Sequence, residues 1–258
     1  MSETPLLRVE GLSKRYGALT AVNEVGFELW PGEVLAVVGE SGSGKSTLLG
    51  CVAGLTDADA GSITYESRHD GTVDLRALPE ARRRWLLRTE WGYVHQNPRD
   101  GLRLGITAGG NIGERLMAVG ARHYGRIRDE AQEWLERVEI EAPRIDHLPR
   151  TFSGGMQQRL QIARNLVSRP RLIFMDEPTG GLDVSVQARL LDLMRTLVTE
   201  LQLSVIIVTH DLAVARLLSH RMMVMQRGRV VETGLTDQIL DDPQHPYSQL
   251  LVASILQG

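Results

Sequence analysis

Cysteine is nearly absent from this sequence: Cys51 stands alone among 258 residues. One thiol cannot close an intrachain disulfide or complete a CxxC metal site. Its expected place is the core, as a small apolar side chain, and a reducing compartment fits. Long apolar runs are missing too. Residues 35–38 and 205–208 are strand-sized, far below the roughly 20 residues of a membrane-spanning helix. Any membrane contact is therefore expected to pass through a partner. Met1-Ser2-Glu3-Thr4 has no basic stretch leading into an apolar run, so no secretory leader is expected. A basic excess is lacking as well. The formal net charge is -3, whereas a dedicated nucleic-acid binder is usually basic. The cluster Arg82-Arg83-Arg84 with Arg88 reads as a solvated helix face, and no nucleic-acid partner is expected. Internal repeats and low-complexity linkers are not seen.

What is present is ordinary globular material, with 42% hydrophobic and 24% charged residues, enough for one large α/β domain or two lobes. Residues 7–10 and 25–30 alternate as strands, and Pro31-Gly32 marks a turn. Residues 33–38 are nearly all apolar, which suggests a strand buried on both faces. A glycine-rich loop follows, then an expected helix over 45–52 with Gly54 at its C-terminal end. The pattern turns helical over about 97–168. Strand and helix alternate again afterwards: 172–175, 184–201 and 205–209. A late hairpin is expected over 222–226 and 229–233, around Arg227-Gly228. Such alternation implies an α/β fold with a mainly parallel sheet covered on both faces. The expected organisation is a single domain over 1–258, its core at 1–96 and 153–258, with a helical insertion at about 97–152.

Gly39-Glu40-Ser41-Gly42-Ser43-Gly44-Lys45-Ser46 fits G-x-x-x-x-G-K-[ST] in full. It follows a strand and opens a helix, the context this phosphate loop requires. Glycines let successive N–H groups turn inward, and the helix N-terminus adds partial positive charge. Lys45 can reach the β- and γ-phosphates of ATP, and the Ser46 hydroxyl can hold Mg2+. Thr47 is counted with these loop residues as nucleotide-binding. Residues 172–175 then deliver two acids, Asp176 and Glu177. Asp176 suits the metal, and Glu177 can polarise an attacking water. His210 ends the next strand, where it can contact the γ-phosphate and hold that water geometry. Ser153-Gly154-Gly155 opens another helix, with Ser153 as N-cap. This is a second anion cradle, and one ATP does not need two in one chain. It is best explained as serving the ATP of a second subunit.

In this order the motifs resemble the ATP-binding-cassette (ABC) ATPase family, over nearly the whole chain. The matching residues are the phosphate loop, Gln96 in Val94-His95-Gln96, Ser153-Gly154-Gly155, Asp176-Glu177, Leu182-Asp183 and His210. The resemblance implies an ABC-type nucleotide-binding domain, with an antiparallel β subdomain and an inserted α-helical subdomain beside the parallel sheet. It implies that Tyr16 stacks on adenine, that Gln96 links Mg2+ to the partner-docking surface, and that Asp183 lies in the dimer-contact loop. Two such domains would pack head to tail around two ATPs, most simply as a homodimer. The chain departs from the common Leu-Ser-Gly-Gly-Gln signature at Phe152 and Met156, and carries Gly180-Gly181-Leu182 where serine and alanine are frequent.

The stretch 242–247, Asp-Pro-Gln-His-Pro-Tyr, resembles the ATPases of peptide and nickel importers. Residues 91–102, 108–117 and 120–125 resemble more closely the ATP-binding subunit of the carbon–phosphorus lyase system for phosphonate use. That likeness implies a soluble lyase core as partner, in the cytoplasm. The importer likeness implies membrane permease subunits, with the chain peripheral at the inner membrane.

Overall fold

The computed structural model of the chain describes residues 4–255. Residues 1–3, within the stretch where no leader is expected, lie outside the described residues. In chain order the elements begin with β1 (Leu7–Tyr16), β2 (Leu19–Leu29), β3 (Val34–Val38), α1 (Lys45–Val52), β4 (Ala60–Ser67), β5 (Gly71–Asp74) and α2 (Glu80–Thr89). They continue with β6 (Trp91–Val94), α3 (Pro98–Gly101), α4 (Ala108–Ala118), α5 (Tyr124–Arg137), α6 (Gly154–Leu166), β7 (Leu172–Asp176) and α7 (Val184–Leu201). The last are β8 (Ser204–Thr209), α8 (Leu212–Leu218), β9 (Arg221–Gln226), β10 (Arg229–Leu235), α9 (Thr236–Asp241) and α10 (Pro246–Ile255). Two compact units result: residues 4–83 with 202–255, and residues 84–201. The expected helical insertion lies within the second.

In the first unit an antiparallel sheet runs β2-β1-β4-β5, and a second group of strands runs β10-β9-β3-β8. Strand β3 pairs in parallel with both β8 and β9. All five of its residues are buried, as its unbroken apolar run requires. The four valine and leucine side chains among them contribute about 1.5–3 kcal/mol of transfer free energy each. The expected turn closes through Glu33 N donating to Trp30 O at 3.0 Å, with Gly32 at φ 75°. Proline then glycine at its centre fits a type II turn. The β9–β10 hairpin turns on Arg227 and Gly228, both at positive φ, as a two-residue primed turn demands.

The unit of residues 84–201 is built on the parallel pair β6–β7. Trp91 packs edge-on to Phe174 at 5.3 Å, and both are buried. Helix α4 lies against α5 and α6. Helix α1 and helix α7 match the expected bounds. Gly54, at φ 70°, follows the α1 cap residue Ala53. Cys51 is buried, and burial pushes its thiol pKa up. Strands β1 and β2 run longer than the alternation at 7–10 and 25–30 suggests. Register shifts between Val9 and Lys14, and a left-handed Glu24 at φ 53°, break the two-residue period that marks a strand.

Candidate nucleotide site

Pairing places Val38 of β3 opposite Thr209 of β8. The phosphate loop and His210 thus leave the carboxyl ends of adjacent parallel strands, where α/β sheets bind ligands. Neighbours dictate the loop's glycines. A Cβ at Gly39 would run into the Met225 carbonyl oxygen, and one at Gly44, at φ 104°, into that of Ala21. The hairpin turn braces the loop, since Gly228 N donates to Ser43 O at 2.9 Å. From α10, the Tyr247 hydroxyl accepts from Glu40 N at 3.0 Å.

Gly44, which has no side chain to compete for the first amides, caps α1, and a helix N-terminus favours an anion. Lys45 is buried and its Nζ donates to Gly39 O and Glu40 O, each at 2.8 Å. Ser43 is 5% exposed, and its Oγ has no hydrogen-bond partner. A buried hydroxyl without a partner is costly, and a phosphate oxygen would satisfy it. Ser41, Gly42 and Ser46 are exposed, and Thr47 is half-buried on the first turn of α1. The residues therefore fit the anionic end of a nucleotide.

Tyr16 ends β1 opposite Leu19 and is 51% exposed. Lys14 Nζ lies 5.4 Å from its ring centre. Asp59 holds that lysine at 3.1 Å and accepts from Arg15 N at 2.7 Å. The Arg15 amide and Lys14 together keep the Asp59 carboxyl below the usual range. His210 is exposed between Thr209, whose Oγ1 accepts from Asp211 N at 3.0 Å, and Asp211, which caps α8 through Ala213 N at 2.8 Å.

Within residues 84–201, Val94 pairs with Met175, so Gln96 and the Asp176-Glu177 pair leave neighbouring strand ends. Glu177 has φ 43°, a left-handed conformation that a side chain adopts only under constraint and often at functional sites. Its carbonyl accepts from Gly180 N at 2.9 Å. A Cβ on Gly180 would lie 3.3 Å from Gln96 Nε2, so the Gln96 amide rests beside the turn that follows Glu177.

Ser153 is the N-cap of α6, as expected, its Oγ accepting from Met156 N at 3.3 Å. The Ser153-Gly154-Gly155 cradle rests on the segment carrying Asp183. A Cβ on Gly154 would touch Leu182, and one on Gly155 would run into Val186. Gln187 clamps that segment, Nε2 donating to Thr179 O at 3.1 Å and Leu182 O at 3.0 Å. Burial pushes the His95 imidazole pKa down and that of the Tyr93 phenol up.

The sequence names these candidate residues but misses their supports. Tyr247 lies in a noted stretch without a role. Nothing local signals the Gln187 clamp or the Lys14–Asp59 pair. Among the described residues no group of three or more His, Cys, Asp and Glu forms a metal cage. Mg2+ needs none where a hydroxyl, one or two carboxylates, water and phosphate oxygens surround it. No helix among them is long and apolar enough to cross a membrane.

Comparison with known proteins agrees with this geometry. A family profile described as ABC transporter matches residues 22–180. A chain of Escherichia coli (strain K12) named as a phosphonates utilization ATP-binding protein, PhnK, is 66% identical over 254 residues, covering 98% of this chain and 99% of that one. A Brucella ovis chain named as a peptide import ATP-binding protein is 36% identical over 259 residues, covering 99% of this chain and 80% of that one. The ATP-binding cassette MJ0796, solved as a dimer in a post-hydrolysis state with ADP and Pi, superposes with TM-score 0.79 at 29% identity. The match covers 89% of this chain and 98% of that one. Another structure, cbiO1 from Clostridium perfringens, gives TM-score 0.78 at 28% identity, covering 93% and 92%.

Proposed function

This chain belongs to the ATP-binding-cassette family, and we propose that it drives a phosphonate-degrading assembly as a head-to-tail dimer docked on a soluble carbon–phosphorus lyase core. It is an ABC-class ATPase similar to a chain of phosphonate utilization. One observation carries the phosphonate half of the reading: 66% identity over nearly the full length of both chains, against 36% for the peptide-import relative. The stretches 91–102, 108–117 and 120–125 favour the same partner.

In this reading the loop amides of residues 39–46, with Lys45 and Thr47, grip the phosphates, and Tyr16 takes the adenine. Ser46, Gln96 and Asp176 would hold Mg2+, which neutralises charge on the β- and γ-phosphates when bound. Glu177 orients and polarises the attacking water, and His210 keeps that geometry. Ser153, Gly154 and Gly155 face the ATP of the second cassette, with Asp183 at the contact between the two. The second cassette is most simply another copy of this chain, and the assembly works in the cytoplasm.

The peptide-import relative supports a second reading, in which the partner is a membrane permease and the chain lies peripherally at the inner membrane. Tagged Glu177→Gln protein, purified with Mg·ATP from cells grown on a phosphonate, separates the two. Soluble lyase subunits recovered without detergent are expected. A permease recovered only with detergent would replace the first reading with the second.

A further inference from the structure

Helix α6 leads from the Ser153 cradle and presents Gln158, Gln161 and Asn165 on one face, spaced three and four residues apart. All three are buried, at 1%, 0% and 7% exposure. Their amides reach the main chain of β6 and of the residue after it, besides a bond from Asn165 Nδ2 to Gln161 O at 2.9 Å within the helix.

Asn165 takes both main-chain groups of Tyr93, Oδ1 accepting from N at 3.1 Å and Nδ2 donating to O at 3.0 Å. Gln161 does the same for His95, Oε1 accepting from N at 2.7 Å and Nε2 donating to O at 3.1 Å. Gln158 Nε2 adds a bond to His95 O at 3.3 Å, and its Oε1 accepts from Gln161 Nε2 at 3.2 Å. Residues 93 and 95 turn their peptide groups to one side of the strand. The alternate residues face β7, the hydrogen-bonded neighbour. A row of amides on a helix thus fills the place of a further strand.

The fit leaves no room for side chains at two glycines. A Cβ on Gly92 would run into Ile173 Cδ1 at 2.6 Å, with Asn165 Cβ next at 3.1 Å, and one on Gly101 would meet the Gln161 amide. Both glycines belong to the stretch 91–102. Apolar contacts can slide past one another. Paired buried amides cannot part without leaving donors and acceptors unsatisfied.

We propose that Gln161 and Asn165, with Gln158, are positioning residues that fasten the strand leading to Gln96 onto α6, so that Gln96 and the Ser153-Gly154-Gly155 cradle respond to nucleotide as one body. This rests on the proposed nucleotide-held dimer. Gln96 would meet the chain's own ATP and the cradle its partner's, and the ladder makes the two ATPs report to one rigid element.

The test uses the full chain carrying Glu177→Gln, which holds ATP without turnover. Hydrogen exchange is followed in segments 91–97 and 153–160 as Mg·ATP is titrated. Both segments of this parent are expected to slow with the same midpoint. Adding Gln161→Met and Asn165→Leu is expected to raise the 91–97 midpoint at least about tenfold, from the loss of the four bonds to Tyr93 and His95. The 153–160 midpoint should stay within about twofold. Gln158→Met, which removes the weak bond to His95 and the acceptor for Gln161 Nε2 but leaves the four bonds of Gln161 and Asn165 to Tyr93 and His95, is expected to shift the first midpoint in the same direction by about two- to threefold. It decides the matter if the other variant loses its cooperative melting. Midpoints that stay matched in a folded variant overturn the ladder's role while leaving the ATPase reading intact. A parent with no response to Mg·ATP in either segment overturns that reading, and the inference with it.

Discussion

The two units hold their functional groups in contrasting ways. Around the phosphate loop the backbone does the positioning. Gly39 and Gly44 are pressed against the carbonyls of Met225 and Ala21, and the β9–β10 turn braces Ser43. In residues 84–201 side-chain amides take over. Gln158, Gln161 and Asn165 tie down the approach to Gln96, and Gln187 clamps the turn before Asp183. A backbone cradle presents a row of N–H groups to a phosphate, and only specific residues at fixed local spacing permit it. The α6 amides reach backbone more than 60 residues earlier in sequence, whereas Gln187 reaches back five and eight.

The contrast can be broken at its chemical centre first. Glu177→Gln keeps both supports and removes the carboxylate to which the proposed function gives the activation of water. Turnover should fall by about 10²–10⁴-fold, while ATP binding persists and a dimer accumulates on size exclusion with Mg·ATP. A variant that stays monomeric would sink the two-site arrangement. Next comes the backbone cradle. Gly44→Ala adds a methyl group where the Ala21 carbonyl already sits, at φ 104°. Nucleotide affinity should fall about a hundredfold or more, with a stability loss of about 1–3 kcal/mol. Calorimetric titration showing near-normal affinity would mean the loop is less constrained than its contacts imply.

A smaller effect is expected from the amide side. Gln187→Leu frees the Thr179 and Leu182 carbonyls while leaving the phosphate loop untouched. Each lost bond corresponds to about 0.5–1.5 kcal/mol, so turnover should drop about three- to tenfold. Nucleotide affinity of the isolated chain should hold. Loss of both in equal measure would show that the clamp serves stability alone.

The same contrast explains what the sequence displays. The phosphate loop and α1 are legible to the residue, because the glycines, lysine and serine that the backbone needs lie within eight positions. Helix α7 is legible because Leu190, Leu191, Met194, Leu197, Val198 and Leu201 repeat at helical spacing, and of these Leu190, Met194 and Leu197 are buried and the others half-buried, with Leu193 buried beside them. The β4–β5 hairpin escapes notice, and α2 shows only as the solvated helix face of Arg82–Arg84 and Arg88. Strand β4 pairs with β1, more than 50 residues earlier in the register Leu7↔Tyr65, and α2 buries little beyond Leu86. Gln161 and Asn165 look like ordinary polar helix residues. Only the placement of β6 beside α6 reveals what their amides hold.

Tyr247 carries the comparison into the phosphate loop itself, because there a side chain assists the backbone. Glu232 accepts from Gln244 N at 2.9 Å and His245 N at 3.0 Å, which fixes the approach to α10. The Tyr247 ring is then buried, and its hydroxyl accepts from Glu40 N. Burial pushes the phenol pKa up, so the hydroxyl stays protonated through neutral pH and the contact should not vary there. Tyr247→Phe keeps the packing and deletes the acceptor. Glu40 is exposed, so water can take over its N–H, and the loss falls at the low end of a hydrogen bond's net value. ATP affinity should weaken only about two- to threefold, with the melting temperature nearly unchanged. A larger loss of affinity at unchanged stability would mean that the loop depends on this side chain as heavily as residues 84–201 depend on theirs.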